Sequence, residues 1–150
     1  MYQRIFVPVD SSTQSELALD EAIDMAKALG STLILAHSVD LPQYGTGNPE
    51  RMDSFTMEHP LMDEGQDLLK NACDHVRQAG LEPESRLLEN HGDKTAELLL
   101  AVAGECNAEL IVMGTHGRTG LTHLLMGSVA EGMLREANVP ILLVRSGTVA

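Results

Sequence analysis

Residues 108–134 read AELIVMGTHGRTGLTHLLMGSVAEGML, and the order of features in that stretch sets the terms for the rest of the chain. Leu110 to Met113 is a short apolar run of strand composition that stops at Gly114. Gly117 and Gly120 follow, then a polar-to-apolar loop, and Gly127-Ser128 opens a helical pattern. Glycine reaches positive φ and leaves the backbone bare, so successive N–H groups can converge on one anion. A helix starting at Ser128 would aim further unpaired N–H groups, and its positive dipole end, at the same point. Strand, glycine-laced loop and helix N-terminus together predict a phosphate cradle. Ser128 and Glu131 also fit a capping box, which would explain those two residues without any ligand. A capping box leaves Gly114, Gly117 and Gly127 unexplained, so the spacing favours the cradle.

Working outward, Arg4 to Val9 reads as a buried strand broken by Asp10-Ser11-Ser12. Thr13 and Glu16 suggest a capping box for a helix carrying Leu19, Ala22, Ile23 and Ala26 on one face, with Gly30 as its stop. Asp10 would lie at the carboxyl end of its strand, where open α/β sheets place ligands; it reads equally well as a turn residue. Thr32 to Val39 is a second strand, again followed by an acid, Asp40. From Leu41 to Pro60 the chain carries Pro42, Gly45, Gly47 and Pro49 and has no sustained periodicity, which predicts a long connection, mobile first of all, with a cover over a ligand or a partner contact as alternatives. His59 and the methionines at 52, 57 and 62 lack metal-ligand spacing.

A helix with Leu69, Ala72, Cys73 and Val76 on one face follows, ended by Gly80. Glu84 to Glu89 carries the charges of an exposed sheet edge. His91 reads as a solvated loop residue, and Asp93 as the cap of a helix bearing Ala96, Leu99, Leu100 and Ala103. Ala130, Met133, Leu134 and Ala137 form the inner face of the next helix, and Pro140 opens a last strand, Ile141 to Val144. About five strands alternating with helices predict an α/β fold, a parallel sheet covered on both faces.

Composition narrows the function classes. A chain of 150 residues suits one domain, 1–150, with a real core. Aromatic content of 3% requires that core to be aliphatic. The formal charge of −12 argues against a nucleic-acid partner or an anionic membrane surface. Cys73 and Cys106 are far apart and read as small core residues in a reducing compartment. No apolar run approaches the ~20 residues of a membrane helix and no signal-peptide pattern opens the chain, so the expectation is a soluble cytoplasmic protein.

The full spacing is Gly114, two residues, Gly117, nine residues, Gly127-Ser128. It resembles the ATP-binding loop of the universal stress protein family, in its nucleotide-binding branch. It is neither a Walker A loop nor a dinucleotide fingerprint, since the chain contains no Gly-Lys-Ser, Gly-Lys-Thr or G-x-G-x-x-G. The resemblance runs from Ile5-Phe6-Val7-Pro8-Val9-Asp10 to Val139-Pro140-Ile141-Leu142-Leu143-Val144. It implies a five-stranded parallel sheet of order 3-2-1-4-5, adenine-nucleotide alpha-hydrolase-like, with Asp10 and Gly114 flanking the crevice at the topological switch point.

Carried over by position, the resemblance sets Pro8, Val9 and Asp10 beside the nucleoside, with Asp10 suited to a ribose hydroxyl or to Mg²⁺ held through water. Val39 would offer backbone groups to the adenine, and Met113 would pack on the ring. Gly114, His116, Gly117 and Arg118 would wrap the phosphates from one side, and Gly127, Ser128 and Val129 from the other. Ser11 stands where the family often has glycine. The family also implies a homodimer through residues 141–144, with a tetramer as an open alternative.

No residue stands out as a poised base, so the expected role is an ATP-binding regulatory module with at most slow ATP hydrolysis, acting on a partner such as a transporter or an enzyme. Two alternatives stand beside it. One is an enzyme of adenylate chemistry, transferring a phosphoryl or adenylyl group; the other is a dimeric scaffold whose loop is structural and empty.

Overall fold

The computed structural model describes residues 1–42, 54–116 and 126–145, with side chains 54–59 also outside the description. Five strands and four helices alternate: β1 Arg4–Pro8, α1 Thr13–Leu29, β2 Thr32–Asp40, α2 Ser54–Gln78, β3 Glu84–Asn90, α3 Thr95–Glu105, β4 Leu110–Gly114, α4 Ser128–Glu136 and β5 Ile141–Val144. All strand pairs are parallel and the order is β3-β2-β1-β4-β5. The predicted fold class and strand order are therefore the observed ones.

Period-two alternation sorts the core onto two faces. Ile5, Val7, Leu33, Leu35 and Val112 pack with Ala18, Leu19, Leu69 and Val76, under α1 and α2. Phe6, Ile34, Ala36 and Ile111 pack with Leu99, Val102, Ala130 and Met133, under α3 and α4. Phe6 is the one aromatic among the largest fully buried side chains, so the core is aliphatic as its composition requires. Both cysteines are buried, and burial pushes the Cys73 thiol above its usual range, which keeps it an uncharged packing group.

Leu134, expected on the inner face of α4, is 44% exposed, and four other local expectations need correction. The cap of α1 is Ser12, whose Oγ accepts from Ser15 N–H at 3.1 Å; it stands just outside the helix in the extended backbone a cap needs, whereas Thr13 is already helical. Asp93 does not cap α3, since Lys94 holds the cap position without a side-chain bond. Asn90 organises that turn instead, accepting from Gly92 N–H at 3.1 Å and donating to Thr95 Oγ1 at 3.3 Å. Gly92 sits at φ +99, which a side chain would resist. Helix α2 begins at Ser54 and contains Pro60, so the irregular connection is shorter than Leu41 to Pro60; a proline near a helix start removes one backbone bond and need not end the helix. The expectation of mobility for the rest of that connection falls on residues 43–53, outside the described residues. The fourth correction concerns Ser128 and belongs to the site.

Candidate functional site

A cleft of about 260 Å³ opens at the carboxyl ends of β1, β2 and β4, on the face covered by α3 and α4. A second hollow, between α3 and the α4–β5 turn, has only about 80 Å³, so the first is the place for a ligand. Strands β1 and β4 are neighbours whose following helices cover opposite faces, which makes this the topological switch point.

One wall is the start of α4. Its cap is Gly127, in extended backbone and with no side-chain cap, so Ser128 is the first helical residue and the Ser128–Glu131 capping box does not form. Glu131 N–H bonds to Gly127 C=O at 3.0 Å, the first turn's regular bond. The N–H groups of Ser128, Val129 and Ala130 are thereby left as the helix's orphan donors, and all three residues line the cleft. Gly127 has φ −74, a value any residue adopts, so its backbone does not demand glycine.

The floor and opposite side come from β1, α1 and β2. Asp10 Oδ1 accepts from Ser12 N–H at 2.7 Å and Asp10 N–H donates to Ser15 Oγ at 2.9 Å. The turn role foreseen for Asp10 is therefore real, and it leaves Oδ2 for a ligand. His37 Nδ1 lies 2.8 Å from Val9 C=O. Gly114 also borders the cleft, yet a Cβ there would meet Gln14 Cβ at 2.9 Å and Gln14 backbone atoms at 3.1 Å. Helix α1 rests directly on it. Gly114→Ala should therefore lower stability by about 1–3 kcal/mol, the usual cost of overpacking, as chemical denaturation would measure; a change below ~0.5 kcal/mol would mean α1 yields freely.

Thr115, which the sequence reading passed over, ties the site together. It is 6% exposed; its N–H donates to Val144 C=O at 3.2 Å, its C=O accepts from Gly127 N–H at 2.7 Å, and Oγ1 donates to Gln14 Oε1 at 3.0 Å. One residue thus joins β5, the α4 cap and α1. With its proton committed to Gln14, Oγ1 accepts from His116 Nδ1 at 3.1 Å, which fixes the imidazole at the cleft rim.

Of the predicted site residues, Pro8, Val9, Asp10, Met113, Gly114, His116, Gly127, Ser128 and Val129 line this one cleft. Gly117 and Arg118 lie outside the described residues. Val39 does not line the cleft: its side chain is buried against Gly65 of α2, on the opposite face. Ser38 takes the place, because strand parity puts Ala36, Ser38 and Asp40 on the cleft side. Val9 N–H bonds to Ala36 C=O at 2.8 Å, so the alternation of the ladder also turns the Ser38 N–H and C=O toward β1, beyond its end. Ser12, Ser15, Thr95 and Leu99 complete the lining; their chain order gave no motif, only positions beside strand ends and helix starts.

An open parallel sheet that gathers bare helix donors, hydroxyls and the carboxylates of Asp10 and Asp40 at its switch point defines a small-molecule-binding α/β class. Within that class the chain belongs to the universal stress protein family, whose model matches residues 1–145. A universal stress protein of Methanocaldococcus jannaschii is 32% identical over 145 residues, 97% of this chain and 83% of that one. Among solved structures, a universal stress protein in complex with cAMP is 28% identical with a TM-score of 0.70, over 95% of this chain and 97% of the other. The universal stress protein of Archaeoglobus fulgidus in complex with dAMP is 27% identical with a TM-score of 0.69, over 95% and 98%. No helix among the described residues is long and apolar enough to cross a membrane.

Proposed function

We propose that this protein binds ATP in the cleft and serves as a cytoplasmic, homodimeric regulatory module, passing its nucleotide state to a partner such as a transporter or an enzyme. The observation that carries the nucleotide is the uncapped start of α4 opening onto the cleft. Three orphan N–H groups and a helix dipole suit a phosphate chain, and Gly127 brings no side chain to obstruct it. The adenine would take the Ser38 backbone pair, whose adjacent N–H and C=O match a ring nitrogen and the 6-amino group, with Met113 and Leu99 as apolar contacts. Asp10 would meet the ribose or hold Mg²⁺ through water, and His116, Gly117 and Arg118 would close over the phosphates. The complexes of relatives with cAMP and dAMP support an adenine nucleotide as the ligand class.

A regulatory role is favoured over phosphoryl transfer by what the polar groups already do. Asp10 holds a turn, Thr115 a three-way joint, and His116 leans on Thr115. Phosphoryl-transfer enzymes turn over at roughly 1–100 per second with a base or water-positioning group in place. Single-turnover hydrolysis with excess protein, Mg²⁺ and labelled ATP should run orders of magnitude below that. Turnover near one per second that vanished in Asp10→Ala or His116→Ala would make the protein an enzyme.

A further inference from the structure

Two hydroxyls on the β2–α3 wall of the cleft carry protons that the described bonds leave without an acceptor. Ser38 Oγ is buried and has no hydrogen-bond partner among the described residues. Thr95 is fixed by its neighbour. Gly92 N–H can only donate, so Asn90 Oδ1 faces it at 3.1 Å, and the amide nitrogen is the atom that turns to Thr95 Oγ1 at 3.3 Å. Asn90 is 3% exposed, so packing holds this orientation. Thr95 Oγ1 therefore accepts from Asn90, and its own proton is directed elsewhere. Both residues line the cleft.

The Ser38 O–H, buried without an acceptor, is a cost to the empty protein, tolerated where something else supplies the acceptor, whereas Thr95 is half-buried and its proton is free to turn to the cleft. We infer that Ser38 and Thr95 are side-chain readers of the purine ring, their O–H groups donating to adenine ring nitrogens. The inference rests on the nucleotide reading and adds to it. The phosphate donors sit at the start of α4, which follows β4, and β1 lies between β4 and β2, so the part of the ligand that reaches the end of β2 is the base. Adenine presents ring nitrogens that can only accept, and a wall of donors is their complement. Ser38 keeps three staggered χ1 wells through which its hydroxyl can meet a ligand.

The test is calorimetric titration of the full chain with ATP and with its 1-deaza, 3-deaza and 7-deaza analogues, in wild type, Ser38→Ala and Thr95→Val. Ser38→Ala removes a group that bonds to nothing, so its melting temperature without ligand should not fall, while ATP binds about five- to tenfold more weakly. The analogue lacking the contacted nitrogen should bind Ser38→Ala as well as it binds wild type. Thr95→Val melts lower, because the Asn90 amide loses its acceptor, and should show the same cancellation with one analogue. Undiminished ATP affinity in a variant, or an equal loss for ATP and all three analogues, removes that residue from the base and overturns its assignment alone. A wild type that binds no ATP overturns the nucleotide reading, and this inference with it.

Discussion

Gly127→Val should weaken ATP binding by roughly 100-fold or more while the protein stays folded. The backbone at Gly127, φ −74 and ψ 163, lies in the extended region that valine prefers, so no strain enters the chain. Exchanging the cap residue costs about 0.5–2 kcal/mol, and Gly127 has no side-chain cap bond to lose. The affinity falls for a steric reason: Gly127 borders the cleft immediately before the orphan donors of Ser128, Val129 and Ala130, and a branched side chain would stand where a phosphate must approach them. A hundredfold loss corresponds to about 2.7 kcal/mol, the size of one or two charge-assisted bonds left unmade. Calorimetry with circular dichroism on the same sample checks it. Unchanged affinity in a folded variant would move the phosphates away from α4.

Leu142→Lys should convert a dimer to a monomer. Strand β5 ends the sheet, paired with β4 on one side only, and Leu142 is 37% exposed there. The opposite edge, β3, begins with three exposed residues and carries Glu84, Arg86 and Glu89, the charges that discourage edge pairing. Residues 141–144 have none. Two copies related by a twofold axis would cover both bare edges at once. A lysine on each copy would place two ammonium groups in one apolar contact, a cost of several kcal/mol that an edge pairing of four residues cannot absorb. Light scattering should give twice the chain mass for wild type and the chain mass for the variant. A wild-type monomer at high micromolar concentration would end the proposal.

Most of the architecture was readable, for identifiable reasons. Helix faces such as Leu19, Ala22, Ile23 and Ala26 carry a 3.6 period that burial enforces, and all four are buried. Glycines with positive φ after α1 and α2, Gly30 and Gly80, marked those ends correctly. Strand order came from the family resemblance, because alternation fixes the sheet as parallel without ordering its strands. Most of the misses are one-residue choices among equivalent chemistry; the start of α2 at Ser54, ahead of Pro60, is the larger one. Ser11, Ser12 and Thr13 can each cap; Ser128 has the side chain of a cap, but Gly127 has the backbone of one. Val39 in place of Ser38 is a parity slip, and in a strand one residue is the whole distance between two faces. Thr115 was invisible because the bonds by which it joins α4, β5 and α1 reach residues 12 to 101 positions away, which no local pattern encodes.

The central claim is that the cleft between β1, β2, β4 and α4 holds an adenine nucleotide. It is tested most directly by titrating nucleotide-free protein with ATP and Mg²⁺ in a calorimeter, then repeating with the cleft variant Gly127→Val. The predicted result is saturable binding at one site per chain in wild type, competed by cAMP and lost in the variant. Absence of wild-type binding at ATP concentrations of about 1 mM, or binding that Gly127→Val leaves untouched, would contradict it.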